Sequence, residues 1–410
     1  MAKRDTSSRL KIAFVNSNDI FDKKSLSGTP YLISRLLEEC CGEVEYIHNF
    51  RPNKMTISYI LRNLFREFTR IYLLQKLKEI CWNARGKKFV WEKTIAVSRY
   101  YAKIIEQRLR GKHYDIIFAE KGSFCIAYLD TKIPVIYETD ATFKAMEGYY
   151  PEFSPVSRDF SEGGNIVEKS ALEKAALVIA VSQWAADSMM RDYGISGNKI
   201  EVITCPPNFD VIPPVSDVLK KKEHDICGLL FVGVDWERKG GDIAADAVDW
   251  LNREGIRAKL FICGCIPPRQ YLRNSHIEVM GFLDKNTEEG GHKLQNVFLS
   301  SHFLILPTRA ECFGQALAEA SAFALPIITT NTGGIPSVVF DGQNGFLLDL
   351  NAKGSDFGKV IKELWEDTVR YDALRSSARK VFEERLSSKV WVESMRRAIE
   401  KALGKSQDLQ

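Results

Sequence analysis

The chain has 410 residues, enough for two or three domains, and its 45% hydrophobic and 27% charged content excludes wholesale disorder. No apolar run approaches the ~20 residues that span a bilayer, and the opening MAKRDTSSRLKIAFV holds only a short apolar stretch after Lys11, less than the about 7 residues of a secretory signal, so a cytoplasmic protein is expected. The net charge is only +4, yet residues 51–113 carry 16 Lys and Arg against 4 Glu and no Asp, which points to an anionic partner for one face.

Short apolar runs alternate with helical patterns along the chain. The strands predicted in the first half lie at residues 11–15, 44–48, 115–119, 134–137, 177–181 and 200–203. Strands alternating with helices make βαβ units and a parallel sheet. Cys205-Pro-Pro-Asn, Pro213-Pro214 and the charged stretch 220–225 then read as a linker between domains. A second series follows, with strands predicted at 229–234, 259–263, 277–280, 303–306, 326–329 and 346–348. The expected fold class is α/β, with two domains of similar size, a cleft between them, and ligands outside the carboxyl ends of the strands. The chain closes on a helical pattern over 387–403, with Trp391, Met395, Ile399 and Leu403 on one face. The nine cysteines are odd in number and Cys263-Gly-Cys265 lacks a second pair at zinc-ligand spacing, so they read as reduced thiols.

Residues 303–319 run from a buried strand through a loop with Glu311 and Gly314 into a helix. Glycine lets backbone approach closely, and a helix N-terminus offers unpaired N–H groups to an anion. Glu311 in the loop and Glu319 about two turns into the helix would reach different parts of one extended ligand, although glutamates so placed also serve as solvated or capping groups. After the first strand of the second series, Arg238 and Lys239 stand beside Gly240 and Gly241. Arg as a fork and Lys as a point charge suit a diphosphate; the other reading is a basic surface turn. Gly333-Gly334 and Ser27-Gly28, each after a strand, are further loops open to a ligand or simple turns. Rival chemistries lack their motifs: there is no G-x-G-x-x-G after the first strand, no G-x-x-x-x-G-K-[ST], no H-E-x-x-H and no G-x-S-x-G. A D-x-D triplet is also absent, which argues against a transferase holding a divalent metal on a sugar diphosphate. The histidines are scattered, and His302, at a strand border, reads as packed.

Taken together, these stretches resemble the retaining GT-B glycosyltransferases of family 4 (glycosyl transferases group 1). The resemblance is carried by FVG…RKGG, by LPTRAECFGQALAEA with its E-x7-E spacing, by ALPIITTNTGGIP and by DGQNGFLL. It is strongest over residues 229–349, with looser matches at SGTPYLISRLLEE and EKSALEKAALVIAVS in the first half. It implies two Rossmann-like domains facing across a deep cleft: an acceptor-binding domain over 1–208, completed by the closing helix 387–410, and a nucleotide-sugar donor domain over 209–386. It implies that Arg238 and Lys239 neutralise the donor diphosphate, that Glu311 contacts the donor sugar, and that Glu319 binds the nucleotide ribose. Phe313, Gly314 and Gln315 then form the loop along sugar and phosphate, and Gly28 lies near the donor phosphates. Where many relatives carry a His-Asp pair after the fourth strand, this chain has Tyr137-Glu138-Thr139-Asp140. Asp140 either contacts a sugar or caps the next turn.

The implied activity moves a sugar from a UDP-sugar or GDP-sugar to a hydroxyl of a sugar, glycan or lipid-linked acceptor, with retained configuration. No cofactor and no metal are expected, and polysaccharide or glycolipid assembly is the expected setting. The alternative is a catalytically silent nucleotide-sugar-binding protein, or a subunit of a transferase pair. In the basic block, Ile57, Ile60, Leu61, Leu64, Phe65, Phe68, Ile71 and Tyr72 follow helical spacing, with Arg62, Arg66 and Arg70 as a cationic ridge. The block reads either as a solvated helix of the acceptor domain or as a peripheral contact with an anionic membrane through residues 54–112. Nucleic acid is not expected, since no RNA-binding motif accompanies the charge.

Overall fold

The computed structural model describes residues 9–50, 56 and 62–404. They divide into two units, one made of the residues up to Ile203 together with those from Val392, the other spanning Thr204–Trp391. In the first unit β1 (Leu10–Val15), β2 (Gly42–Ile47), β3 (Ile116–Glu120), β4 (Val135–Thr139), β5 (Leu177–Ala180) and β6 (Ile200–Val202) form one parallel sheet in the order β2-β1-β3-β4-β5-β6. Its central strands are buried along their length, as strands covered by helices on both faces require. Phe14 of β1 and Phe118 of β3 sit in register, fully buried, with ring centroids 5.7 Å apart. The strand order reverses between β1 and β3, the position outside which open α/β sheets bind ligands.

The second unit repeats the plan. Strands β7 (Cys227–Val232), β8 (Ala258–Cys263), β9 (Ile277–Gly281), β10 (Phe303–Leu306), β11 (Ile327–Thr330) and β12 (Gly345–Leu348) form a parallel sheet ordered β12-β11-β10-β7-β8-β9. Leu229 and Leu230 of β7 pair with Phe303 and Leu304 of β10, all four fully buried. Here the reversal lies between β7 and β10. Every apolar run expected to be a strand is one, with ends that agree to within two residues.

Two expectations about the join need correction. Residues 220–225 do not link the units but lie inside the second. Arg375, on the helix Thr368–Val381, donates to the carbonyls of Val218 at 2.7 Å and Lys220 at 3.0 Å, and Arg379 donates to that of Pro213 at 3.1 Å. Buried guanidinium groups thus satisfy a loop whose composition marks it as solvated. The second unit also begins before residue 209, because the Pro206 carbonyl accepts from Gln315 Nε2 at 2.5 Å and that of Asn208 from Lys285 Nζ at 3.1 Å. At the other end the division falls within the helix Ser388–Ala402. Its later part is held in the first unit by Arg396, which donates to the Cys40 carbonyl at 2.7 Å, and by Lys401 with Glu201 at 2.5 Å.

In the basic block the helix is Glu67–Asn83. Ile57, Ile60 and Leu61 lie outside the described residues. Phe68, Ile71 and Tyr72 pack on the core of the first unit, whereas Leu64 and Phe65 precede the helix and are exposed. Among the described residues no helix is long and apolar enough to cross a membrane. All nine cysteines are free thiols.

Candidate functional site

Because β7 and β10 are neighbours at the reversal of the second sheet, the loops that leave them, residues 233–240 and 307–314, lie side by side. Gly240 makes this possible. Its φ is 73°, and a Cβ on it would stand 2.0 Å from the carbonyl oxygen of Pro307. The loops are then stitched by the Arg309 N–H and the Thr308 hydroxyl, which donate to the Arg238 carbonyl at 2.8 and 3.1 Å. Arg238 Nη1 donates to the Ala310 carbonyl at 2.8 Å and stands 3.7 Å from Glu311 Oε2. Lys239 Nζ contacts the same oxygen of Glu311. Outside this core, Arg309 grips both carboxylate oxygens of Asp242 at 2.9 and 2.7 Å.

One nearly buried carboxylate therefore meets two cations, and Arg238 also reaches Asp235 Oδ2 at 3.4 Å. Two helices start at this edge. The helices Gly241–Arg253 and Gln315–Ala322 start at Gly240 and Gly314; in the first the Gly241 N–H donates to the Trp236 carbonyl at 2.9 Å and the Asp242 carboxylate accepts from the Asp242 and Ile243 N–H groups, whereas the second starts without a side-chain cap. Gly314 has a φ of 87°, the left-handed conformation that swings the chain from the Glu311 loop into the second of these helices. Phe313 is buried beside it. Gln315 spends its amide nitrogen on Pro206, and its Oε1 has no partner among the described residues. The Gly334 N–H donates to the Glu311 carbonyl at 3.0 Å, which brings the Gly333-Gly334 loop onto the same edge. Deeper in, buried Glu319 pairs with Lys285 Nζ at 2.5 Å. Burial raises the Glu319 carboxyl above the ordinary carboxylate range, while Lys285 and a hydrogen bond from the Asn208 backbone pull it down.

The other two expected site residues belong to the first unit. Gly28, with a φ of 76°, opens the helix Thr29–Cys40. Next to it Thr29 Oγ1 donates to Glu120 Oε1 at 2.8 Å, and Asn16 Nδ2 donates to Glu120 Oε2 at 2.6 Å. Lys121 reaches Thr29 Oγ1 at 3.3 Å and pairs with Asp140 Oδ2 at 3.0 Å. Asp140 does not cap the following turn. Thr142 does, its Oγ1 accepting from the Ala145 N–H at 3.1 Å. Glu138 lies in register with Glu120, buried, with an Oε2 that has no hydrogen-bond partner among the described residues. Burial and the neighbouring Glu120 push its carboxyl up to about 8.

Sequence patterns single out Arg238, Lys239, Glu311, Phe313, Gly314, Gln315 and Glu319, and the structure gathers these along one edge of the second sheet. They miss Lys285, whose only tie to Glu319 is spatial, across 34 residues. They also miss Glu120, Lys121 and Glu138, although a charged pair closing an apolar strand is a readable sign. His302 is packed: Nδ1 accepts from the Gly228 N–H at 3.0 Å and Nε2 donates to the Glu223 carbonyl at 2.8 Å, and burial holds the ring down to about 4. Among the described residues no cluster of three or more His, Cys, Asp or Glu side chains is placed to hold a metal ion.

Comparison with known proteins settles the family. The family model for glycosyl transferases group 1 matches residues 227–367, and that for glycosyltransferase family 4 matches residues 73–210. The chain belongs to the family 4 glycosyltransferases. A D-inositol 3-phosphate glycosyltransferase of Paenarthrobacter aurescens (strain TC1) is 26% identical to this glycosyltransferase over 292 residues, 66% of this chain and 69% of that one. Anabaena HepE, solved in complex with UDP and glucose, superposes with a TM-score of 0.60 at 18% identity, covering 97% of this chain and 100% of that one. The lipopolysaccharide outer core galactosyltransferase WaaB gives a TM-score of 0.60 at 17% identity, over 95% of this chain and 99% of that one. These likenesses show the fold of the glycosyltransferase, the GT-B plan. Arg238, Lys239, Glu311 and Glu319 all lie inside the stretch that the group 1 model matches.

Proposed function

We propose that this glycosyltransferase moves a sugar from a UDP-sugar or GDP-sugar to a hydroxyl of a sugar, glycan or lipid-linked acceptor, with retained anomeric configuration and without a metal ion. The observation that carries the reading is the meeting of Arg238 and Lys239 with Glu311 where the second sheet reverses. As the bond from C1 of the sugar to the diphosphate breaks, the leaving group gathers negative charge. Arg238, Lys239 and the uncapped N-terminus of the helix Gln315–Ala322 offer it positive partners. When the diphosphate takes over both cations, Glu311 is released to accept hydrogen bonds from the donor sugar, and Glu319 accepts from the ribose. The acceptor oxygen bonds C1 on the face that the leaving group vacates, and its proton passes to the departing phosphate oxygen. The likeness to HepE supports a UDP-linked donor, and that to WaaB supports glycoconjugate or polysaccharide assembly.

Nucleotide release from a panel of UDP-, GDP- and ADP-sugars tests this. Slow hydrolysis of one donor is expected, falling by about 100-fold or more in Glu311→Ala. Silence across the panel, with no thermal stabilisation by any nucleotide, would overturn it in favour of a silent subunit.

A further inference from the structure

The helix Glu67–Asn83 packs on the first unit through one face only. Phe68 is buried and Tyr72 is packed against the core, and Gln75 and Glu79 continue that line at helical spacing. The opposite line reads Arg70, Leu74, Leu77 and Cys81. Leu74 is 61% exposed, Leu77 59% and neighbouring Ile80 57%, so the outward face is apolar over about two turns. This is not the face that the sequence periodicity selects, which turns inward through Phe68, Ile71 and Tyr72.

The apolar line is framed by exposed cations. Arg66 and Arg70 stand at its start, and Lys78, Arg85 and Lys87 stand beside and beyond its end. Both glutamates of the helix are matched elsewhere, Glu67 by Lys103 at 2.6 Å and Glu79 by Lys76, so the outward charges face no carboxylate of their own helix. A recess of about 300 Å³ along its flank adds Lys93 and Arg99 to Lys78, with Asp159 as its one acid. An apolar strip bordered by lysine and arginine is the pattern of a helix that lies flat in a lipid interface, with leucines among the acyl chains and cations at the phosphates.

We infer that this face docks the protein on an anionic bilayer, with Leu74, Leu77 and Ile80 entering the apolar layer and Arg70 and Lys78 meeting lipid phosphates. The inference stands apart from the reading of the donor site. Its test is co-sedimentation of the full chain with vesicles of phosphatidylcholine alone and with about one third phosphatidylglycerol added. Pelleting only with the anionic vesicles is expected, weakened when salt rises from about 0.1 M to about 1 M and the screening length falls from about 10 Å to about 3 Å. Leu74→Asp with Leu77→Asp should lower binding by about tenfold or more. Arg70→Glu with Lys78→Glu should lower it at least as far, at roughly fivefold per lost charge. Both pairs are outward-facing and should melt like the wild type. Absence of vesicle-dependent pelleting, or equal pelleting of wild type and both variants, overturns the inference. So does self-association in sedimentation velocity that Leu74→Asp with Leu77→Asp abolishes, since a second copy would then cover the face.

Discussion

Glu138 is a carboxyl group held inside a sheet beside a second one, Glu120, and its stability consequence has a definite sign. Below its ordinary value near 4.5 it is protonated in folded and unfolded chains alike, and its contribution is fully present. Between there and about 8 the unfolded chain releases a proton that the folded chain keeps, so stability falls as pH rises. The melting temperature of the first unit should drop from pH 5 to pH 8 by roughly 5 °C or more, a loss on the order of a few kcal/mol. Glu138→Gln should flatten that profile; parallel profiles for wild type and variant would show that Glu138 ionises normally. Burial raises the Glu319 carboxyl too, but there a cation is already in place. Lys285→Met should cost about 2 kcal/mol or more by stranding a buried carboxylate. Adding Glu319→Gln should restore the melting temperature without restoring stabilisation by UDP, which thermal melts with and without nucleotide would read. The residues legible in the sequence, Arg238, Lys239, Glu311 and Glu319, stand at fixed offsets from a strand end. Lys285, Glu120 and Glu138 matter through burial and distant partners, and no local pattern records those.

At the scale of the element, two glycines make opposite predictions. Gly240→Ala places a methyl against the Pro307 carbonyl in a left-handed conformation, so it should cost at least about 2 kcal/mol and cut donor hydrolysis by displacing Lys239. Gly291→Ala meets nothing within 4 Å on the helix Glu288–Ser300, and should raise stability by about 0.8 kcal/mol and the melting temperature by roughly 2–3 °C. Calorimetry on the two variants separates the cases; equal melting would show that the loop yields to the added methyl. The strands are easy to read because helices cover both faces and leave continuous apolar runs. The 220–225 stretch misleads because lysines signal solvent, whereas Arg375 and Arg379 hold the backbone before it through its carbonyls. The basic helix misleads differently. Its period is correct, but which side faces the core depends on neighbours such as Trp91, against which Tyr72 packs edge-on at 5.0 Å.

For the molecule as a whole, two units mean that unfolding is not one all-or-none event. A nucleotide held by the second unit should raise that unit's transition by about 2.7 kcal/mol at a hundredfold excess over Kd. Hydrogen exchange should then slow most at residues 233–240 and 307–319. Protection confined to the first sheet would contradict the donor site assigned here. The restart of the strand-helix pattern makes two sheets readable in the sequence, but not their order, since β1 beside β3 and β7 beside β10 are long-range choices that no single run encodes. The split of the helix Ser388–Ala402 also bears on the order of synthesis. The second unit is one continuous stretch and has its whole sequence once Trp391 is made. The first unit, begun earlier, still lacks the segment whose Arg396 and Lys401 dock on Cys40 and Glu201. On the ribosome the unit started first is therefore finished last.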